Sequence, residues 1–444
     1  MPALRDLRDT SGIVVRAATA SGRPPAAGAA AAHRSDGKDT GALADQLGSY
    51  ADWPGFALAR ARLRSPGRGP AGGVPRHRPT SVPPADRPVE PRVERAWTRD
   101  GVDGEEVSWS VGFGPRTRAW LLRPAGAEGP LPGALALHGH DDVKFVGKEK
   151  IADGPDGTAP GLGPVRAGYG DRAFANALAR EGFAVLVPDV FSWGSRRFDR
   201  EAIDEALGSA SHLSWVRPCV EATTTRDGAG APDEATSYER VAALHEDVLE
   251  RLCRVLGTSL AEVVAYEDGI ALGYLRSRTD WARGPVVAIG CSGGGARAAL
   301  LSASSPGVDV VVVVGMMSTY RPMVEQHVAT HTWMLFPPYL APERDWPDVV
   351  LLRAPAPLLV QYALDDALFP REGMLAAHRL ITDRYESLGR PGSYVGQLYD
   401  GGHRFDRAMQ DEAFRQVRRF LDEGARAVGE DRPRDVPGPS LPPS

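Results

Sequence analysis

The chain has 444 residues, of which 42% are hydrophobic and 25% charged, with a formal net charge of -5. That length holds a large core, and the mild acidity gives no general attraction to nucleic acid or anionic membrane surfaces. Three cysteines, Cys219, Cys253 and Cys291, are too few and too scattered for a disulfide framework, and no Cys-x-x-Cys pair suggests zinc.

Residues 1–95 differ in character from the rest. Stretches such as Arg23–Ala32 and Ser65–Pro75 are low in complexity, and 15 Lys/Arg stand against 9 Asp/Glu, a local charge of +6. This pattern reads as a solvated extension rather than a basic interaction arm. Within it, Gly41–Arg64 carries Leu47, Tyr50, Trp53 and Phe56, enough for one or two helices packing on the body or on a second subunit. A homo-oligomer through this extension is therefore one option. The N-terminus lacks a basic region followed by an apolar segment of about 7–15 residues. The densest apolar run, Val308–Met317, falls short of the roughly 18 residues of a membrane span. A cytoplasmic protein without a membrane partner is expected.

From residue 96 to 428 the pattern is that of a catalytic domain, with 429–444 as a proline-rich tail. Glu106–Arg123 reads as two strands joined by a Gly-Pro turn, and Pro132–Leu137 and Phe183–Val187 as buried strands with a helix between them. Strand, helix, strand in that order argues for parallel βαβ units. Residues 191–235 interrupt the rhythm and suit an inserted lid. Ser237–Leu256 has helical spacing, and Ser259-x-x-Glu262 is a capping box opening the next helix.

The chain then reaches Pro285-Val-Val-Ala-Ile-Gly-Cys-Ser-Gly-Gly294, which reads as strand, sharp turn and helix start. Gly290-Cys291-Ser292-Gly293-Gly294 fits the G-x-S-x-G nucleophile elbow. A serine on such a turn is held in a strained conformation, and side chains two residues to either side would collide, so glycine stands there. Alone, the motif reads more readily as a glycine-rich strand-to-helix turn. Further strands, Val308–Val314, Pro357–Tyr362 and Ser393–Leu398, follow, the last two leading to Asp365-Asp366 and to Gly402-His403.

Ser292, Asp366 and His403 therefore sit at strand ends in the order serine, acid, histidine. Serine is a poor nucleophile at neutral pH, so His403 is needed to take its proton and Asp366 to orient the imidazole. Asp366, four residues before Pro370, is preferred to Asp365 as the acid. The glycine turn His138-Gly139-His140 can aim the His140 amide, with that of Gly293, at a developing oxyanion. His138 is expected to pack beneath the turn, and its spacing from His140 and Asp141 suits no common zinc motif. Neither metal nor cofactor is expected.

On Leu137-His-Gly-His140, Val187-Pro-Asp189, Gly290-Cys-Ser-Gly-Gly294, Asp366-Ala-Leu-Phe-Pro370 and Gly402-His403, the chain resembles the α/β-hydrolase superfamily. It is similar to the dienelactone hydrolase and acetyl-xylan-esterase-like branch. The resemblance implies a mostly parallel eight-stranded sheet flanked by helices, and cofactor-free hydrolysis of a small-molecule ester. Dienelactone hydrolase proper uses a cysteine where this chain has Ser292. Amide or peptide cleavage and acyl transfer on the same triad are the alternatives, with a non-catalytic binding role a more distant one. Trp193, Trp333 and Phe336, with Phe198, Trp215 and Tyr339, are candidates for an aromatic substrate wall.

Overall fold

The computed structural model describes residues 45–64, 87–210, 234–325, 327–338, 340 and 344–430. Trp215, Cys219, Tyr339 and the tail beyond 430 lie outside the described residues, as does most of the second half of the expected lid.

Among the described residues, nine strands form one sheet in the order β1-β2-β3-β5-β4-β6-β7-β8-β9. They are β1 (Val89–Arg99), β2 (Val102–Ser110), β3 (Thr117–Pro124), β4 (Leu131–Leu137), β5 (Ala184–Pro188), β6 (Ala282–Cys291), β7 (Val310–Val314), β8 (Leu358–Ala363) and β9 (Tyr394–Tyr399). The first three pair antiparallel, as do β3 and β5, and all remaining pairs are parallel. The expected count of eight is corrected to nine. The added strand, β1, begins at Val89 inside the segment assigned to the extension, and the boundary at residue 96 falls within it. Its residues are almost all exposed, so it lacks the alternation by which a half-buried strand is read.

The central strands are apolar on both faces because helices cover both. Leu135, Leu137, Val286, Ala288, Val311, Val313, Leu358 and Val360 point into one core. Their neighbours Ala134, Ala136, Val287, Ile289, Val310, Val312, Val314 and Leu359 point into the other. The second core is closed by the helix Arg407–Glu430, whose Met409, Ala413, Phe414, Val417 and Phe420 form its buried stripe. The helix Leu260–Ser277 closes the first core and opens on Ser259, whose Oγ accepts the Glu262 N–H at 3.2 Å.

The segment before the sheet belongs to this body. Leu47, Tyr50, Trp53 and Ala57 are buried in the first core, with the Tyr50 ring stacked on Phe198 at 4.1 Å. Asp52 Oδ1 accepts the Gly114 N–H at 2.9 Å. These apolar residues are covered by their own chain. Among the described residues, no helix is long and apolar enough to cross a membrane.

Candidate active site

Ser292 lies between the end of β6 and the helix Gly293–Ser304, with φ 55° and ψ -128°. That region is costly for any residue with a Cβ, by about 1–3 kcal/mol, and persists where the surroundings enforce it. The surroundings here are tight backbone. A Cβ on Gly290 would lie 2.3 Å from the Gly294 carbonyl, and one on Gly294 would lie 2.1 Å from Leu137 O. The Ser292 N–H donates to Val314 O at 2.9 Å, tying the turn to β7. The neighbouring Cys291 is a buried free cysteine, and burial pushes its thiol well above the ordinary range. It packs beneath the turn as a neutral thiol.

The loop after β4 comes up beside the elbow. A Cβ on Gly293 would lie 2.7 Å from the His140 backbone nitrogen, so the amides of His140 and Gly293 belong to neighbouring backbone.

Asp366 follows β8 and His403 follows β9. His403 Nδ1 lies 2.6 Å from Asp366 Oδ2, and Asp366 Oδ1 accepts the Leu368 N–H at 2.9 Å. The Asp366 side chain is 1% exposed and that of His403 28%. With Nδ1–H donated to the carboxylate, Nε2 is left as an acceptor. Burial pulls the His403 imidazole down, but the bond to Asp366 and its charge act the other way, and the net shift is upward. Gly315, at φ 55°, makes room for the ring: a Cβ there would lie 3.2 Å from His403 Cε1. The adjacent Asp365 is placed differently. Its side chain is 56% exposed, paired with Arg371 at 2.9 Å, and caps the Gly401 N–H at 2.7 Å.

Ser292 and His403 line one cavity of about 620 Å³. Its wall comes from the loop 140–143, from Ala243, Glu246 and Asp247 on the helix Glu234–Val255, and from Ala329, His331, Thr332 and Trp333. The part of 191–235 that is described contributes no residue to it. Phe191, Trp193 and Phe198 are core residues there, while 211–233 of the expected insertion lie outside the described residues. Of the three aromatic candidates, Trp333 lines the cavity. Trp193 is 1% exposed and lies beneath the wall, against the His140 ring at 5.3 Å and under the Lys144 ammonium at 4.4 Å. Phe336 packs on Tyr320 and behind Trp333. An aromatic residue type does not say which way the backbone turns it. His138 is buried, its Nδ1 3.0 Å from Gly139 O, and burial together with Arg297 and Lys150 holds its imidazole well below the usual range.

Sequence reasoning missed a buried charged group in this wall. Glu246 Oε2 meets His140 Nε2 at 2.9 Å and Lys144 Nζ at 2.6 Å, while Oε1 accepts the Thr332 hydroxyl at 2.7 Å and the Trp333 N–H at 3.2 Å. One carboxylate thus joins the loop after β4, the helix Glu234–Val255 and the segment at 332–333. Burial favours its neutral form, but the charges of Lys144 and His140 prevail and hold it well below the usual glutamate range. The available signal was its position: Glu246 and Glu250 interrupt the buried stripe Tyr238, Val241, Ala242, His245, Leu249 and Cys253.

Comparison with known proteins agrees with this architecture. No family model matches the chain. It is 21% identical over 339 residues to the "Putative hydrolase YtaP" of Bacillus subtilis (strain 168), covering 76% of this chain and 95% of that protein. Among solved structures, a "putative acetyl xylan esterase" from Bacteroides fragilis NCTC 9343 superposes with a TM-score of 0.51 at 15% identity, over 79% of this chain and 75% of the other. The chain has the α/β-hydrolase fold. A glucuronoyl esterase from Solibacter usitatus is also similar, with a TM-score of 0.48 at 15% identity over 83% of this chain and 91% of that one.

Proposed function

We propose that the protein is a serine hydrolase of carboxylic esters acting through an acyl-enzyme. The observation that carries this reading is the His403–Asp366 pair, 2.6 Å apart, with His403 on the same cavity as a serine held at positive φ. Ser292 Oγ attacks the ester carbonyl as His403 Nε2 takes its proton, and Asp366 steadies the imidazolium. The oxyanion receives the N–H groups of His140 and Gly293. His403 then protonates the leaving alcohol. Water repeats the sequence on the acyl-enzyme and releases the acid.

The wall favours a small neutral ester. Among the described residues, its lining carries Asp141, Asp142, Glu246 and Asp247, and neither lysine nor arginine, so a free carboxylate on the substrate meets like charge. A cytoplasmic location suits the two buried free thiols, Cys253 and Cys291.

The test is a panel of acetyl, longer acyl, methyl-ester, lactone and amide substrates, with Ser292→Ala alongside the wild type. Turnover of neutral acetyl or methyl esters that disappears in Ser292→Ala is expected. Amide turnover exceeding ester turnover, or ester turnover surviving in Ser292→Ala, contradicts the reading.

A further inference from the structure

The His140 N–H shares its peptide unit with the carbonyl of Gly139. In a planar trans peptide, the oxygen and the hydrogen point to opposite sides of the C–N bond. Whatever group holds Gly139 O therefore aims the His140 N–H the other way. His138 Nδ1 lies 3.0 Å from this oxygen, and the charged group on it is Lys150. Its Nζ donates to Gly139 O at 2.9 Å and to His140 O at 2.8 Å, and lies 3.5 Å from Asp141 Oδ2. On the other side, the His140 nitrogen faces Gly293.

Lys150 is itself firmly seated. It ends the short turn Lys148–Lys150, whose first lysine is bound to Asp189 at the end of β5. Lys148 Nζ meets Asp189 Oδ2 at 2.9 Å, and its N–H meets Oδ1 at 2.8 Å. The Lys150 side chain is 0% exposed. An ammonium is costly to bury unless its donors are satisfied, and each oxygen near this one belongs to residues 139–141. The carbonyl before them, His138 O, receives Arg297 at 3.4 Å. Arg297 is in turn held by both oxygens of Asp268, at 2.9 and 2.6 Å. Two buried cations thus occupy the carbonyl side of the loop and leave its amide side to the cavity. Gly139 permits a peptide flip, and Asp141 and Asp142, at φ 54° and 49°, are strained residues whose conformation relaxes if the hold is lost.

We infer that Lys150 is a positioning residue of the oxyanion hole, locking the Gly139–His140 peptide with its N–H toward the Ser292 reaction centre. The inference rests on the reading of His140 and Gly293 as that hole.

The test compares Lys150→Met and Lys150→Gln in the full chain with the wild type. On p-nitrophenyl acetate, Lys150→Met lowers kcat about 100-fold per active site while KM stays within about threefold. The Ki of a trifluoromethyl ketone, which mimics the oxyanion, rises in step with the fall in kcat/KM. Lys150→Gln keeps N–H donors but not the charge, so it loses less, roughly tenfold. Active sites are counted by fluorophosphonate titration. Mere structural damage lowers that count and leaves the Ki of the remaining sites unchanged. A kcat within about threefold of wild type, or a loss confined to KM, overturns the inference.

Hydrogen exchange supplies an arm independent of turnover. The peptide covering 138–142 exchanges at least about tenfold faster in Lys150→Met, while β6 and β7 keep their rates. Unchanged exchange there overturns the lock. A wild type that neither turns over esters nor accepts fluorophosphonate defeats the functional reading instead and leaves exchange to decide on Lys150. If Lys150→Met does not fold, the same measurements on Lys150→Gln decide.

Discussion

Nδ1 of His403 lies 2.6 Å from Oδ2 of Asp366, while the neighbouring Asp365 turns outward to Arg371 and the Gly401 amide. Two adjacent carboxylates thus have separate partners. Asp366→Asn replaces an acceptor with an amide that no longer fixes the imidazole tautomer, and kcat should fall by about 10³–10⁴. Asp365→Asn removes a half-exposed ion pair and a turn cap and should leave kcat within about threefold. Steady-state kinetics of the two variants separate them, and equal losses would remove Asp366 from its proposed role.

The pH profile follows from the same pair. His403 acts as a base only when neutral, and Asp366 raises its titration above the ordinary histidine value. The rate kcat/KM should therefore be low in acid, rise as the pH passes that raised pKa, and level off above it. In Asp366→Asn the surviving rate should titrate at lower pH, because the partner charge is gone while burial still favours the neutral ring. An acid limb that does not move between the two proteins contradicts this assignment.

Glu246 holds a buried lysine and three segments of the wall together. Glu246→Ala leaves the Lys144 ammonium, 2% exposed, without its counter-charge, and about 3–5 kcal/mol of stability should be lost. The sign in pH is fixed by the depressed carboxyl. Its contribution is present above the ordinary glutamate pKa and fades as pH falls toward the depressed value. Urea midpoints at neutral and acid pH should converge for wild type and Glu246→Gln as pH drops. A gap that widens in acid would argue against the pair as described.

Trp333 and Trp193 should respond in opposite ways. Trp333 faces the cavity with its indole N–H fixed on Asp247 at 2.8 Å. Trp333→Ala should raise KM roughly tenfold with kcat nearly unchanged, as expected for a group that binds without reacting. Trp193 lies in the core, and its removal should cost about 3–5 kcal/mol. Melting temperature and KM, measured on both variants, reveal whether the roles are reversed.

The parts of this molecule that were legible in the sequence are those encoded over short range. The valine-rich strands, the Ser259 cap and the elbow glycines each announce themselves within a few residues, and strand-helix alternation gives the fold class. Ser292, Asp366 and His403 were readable because each closes an apolar strand with a turn. The rest depends on partners far away in the chain. Glu246 meets His140 106 positions upstream, and in sequence its side chain is one more charge on an amphipathic helix. Lys144, Lys148 and Lys150 look like a solvated basic run, yet each is buried on a specific carboxylate or carbonyl. Strand β1 escaped because an exposed edge strand with a proline and alternating charge carries no hydrophobic period.

The central claim is that Ser292 is the acylated nucleophile. Incubation of the full chain with a fluorophosphonate, followed by peptide mass spectrometry, measures this directly. The account predicts one phosphonylated peptide, modified at Ser292, with labelling strongly reduced in His403→Ala and absent in Ser292→Ala. Labelling at another residue, or none in a folded wild type that turns over esters, contradicts it.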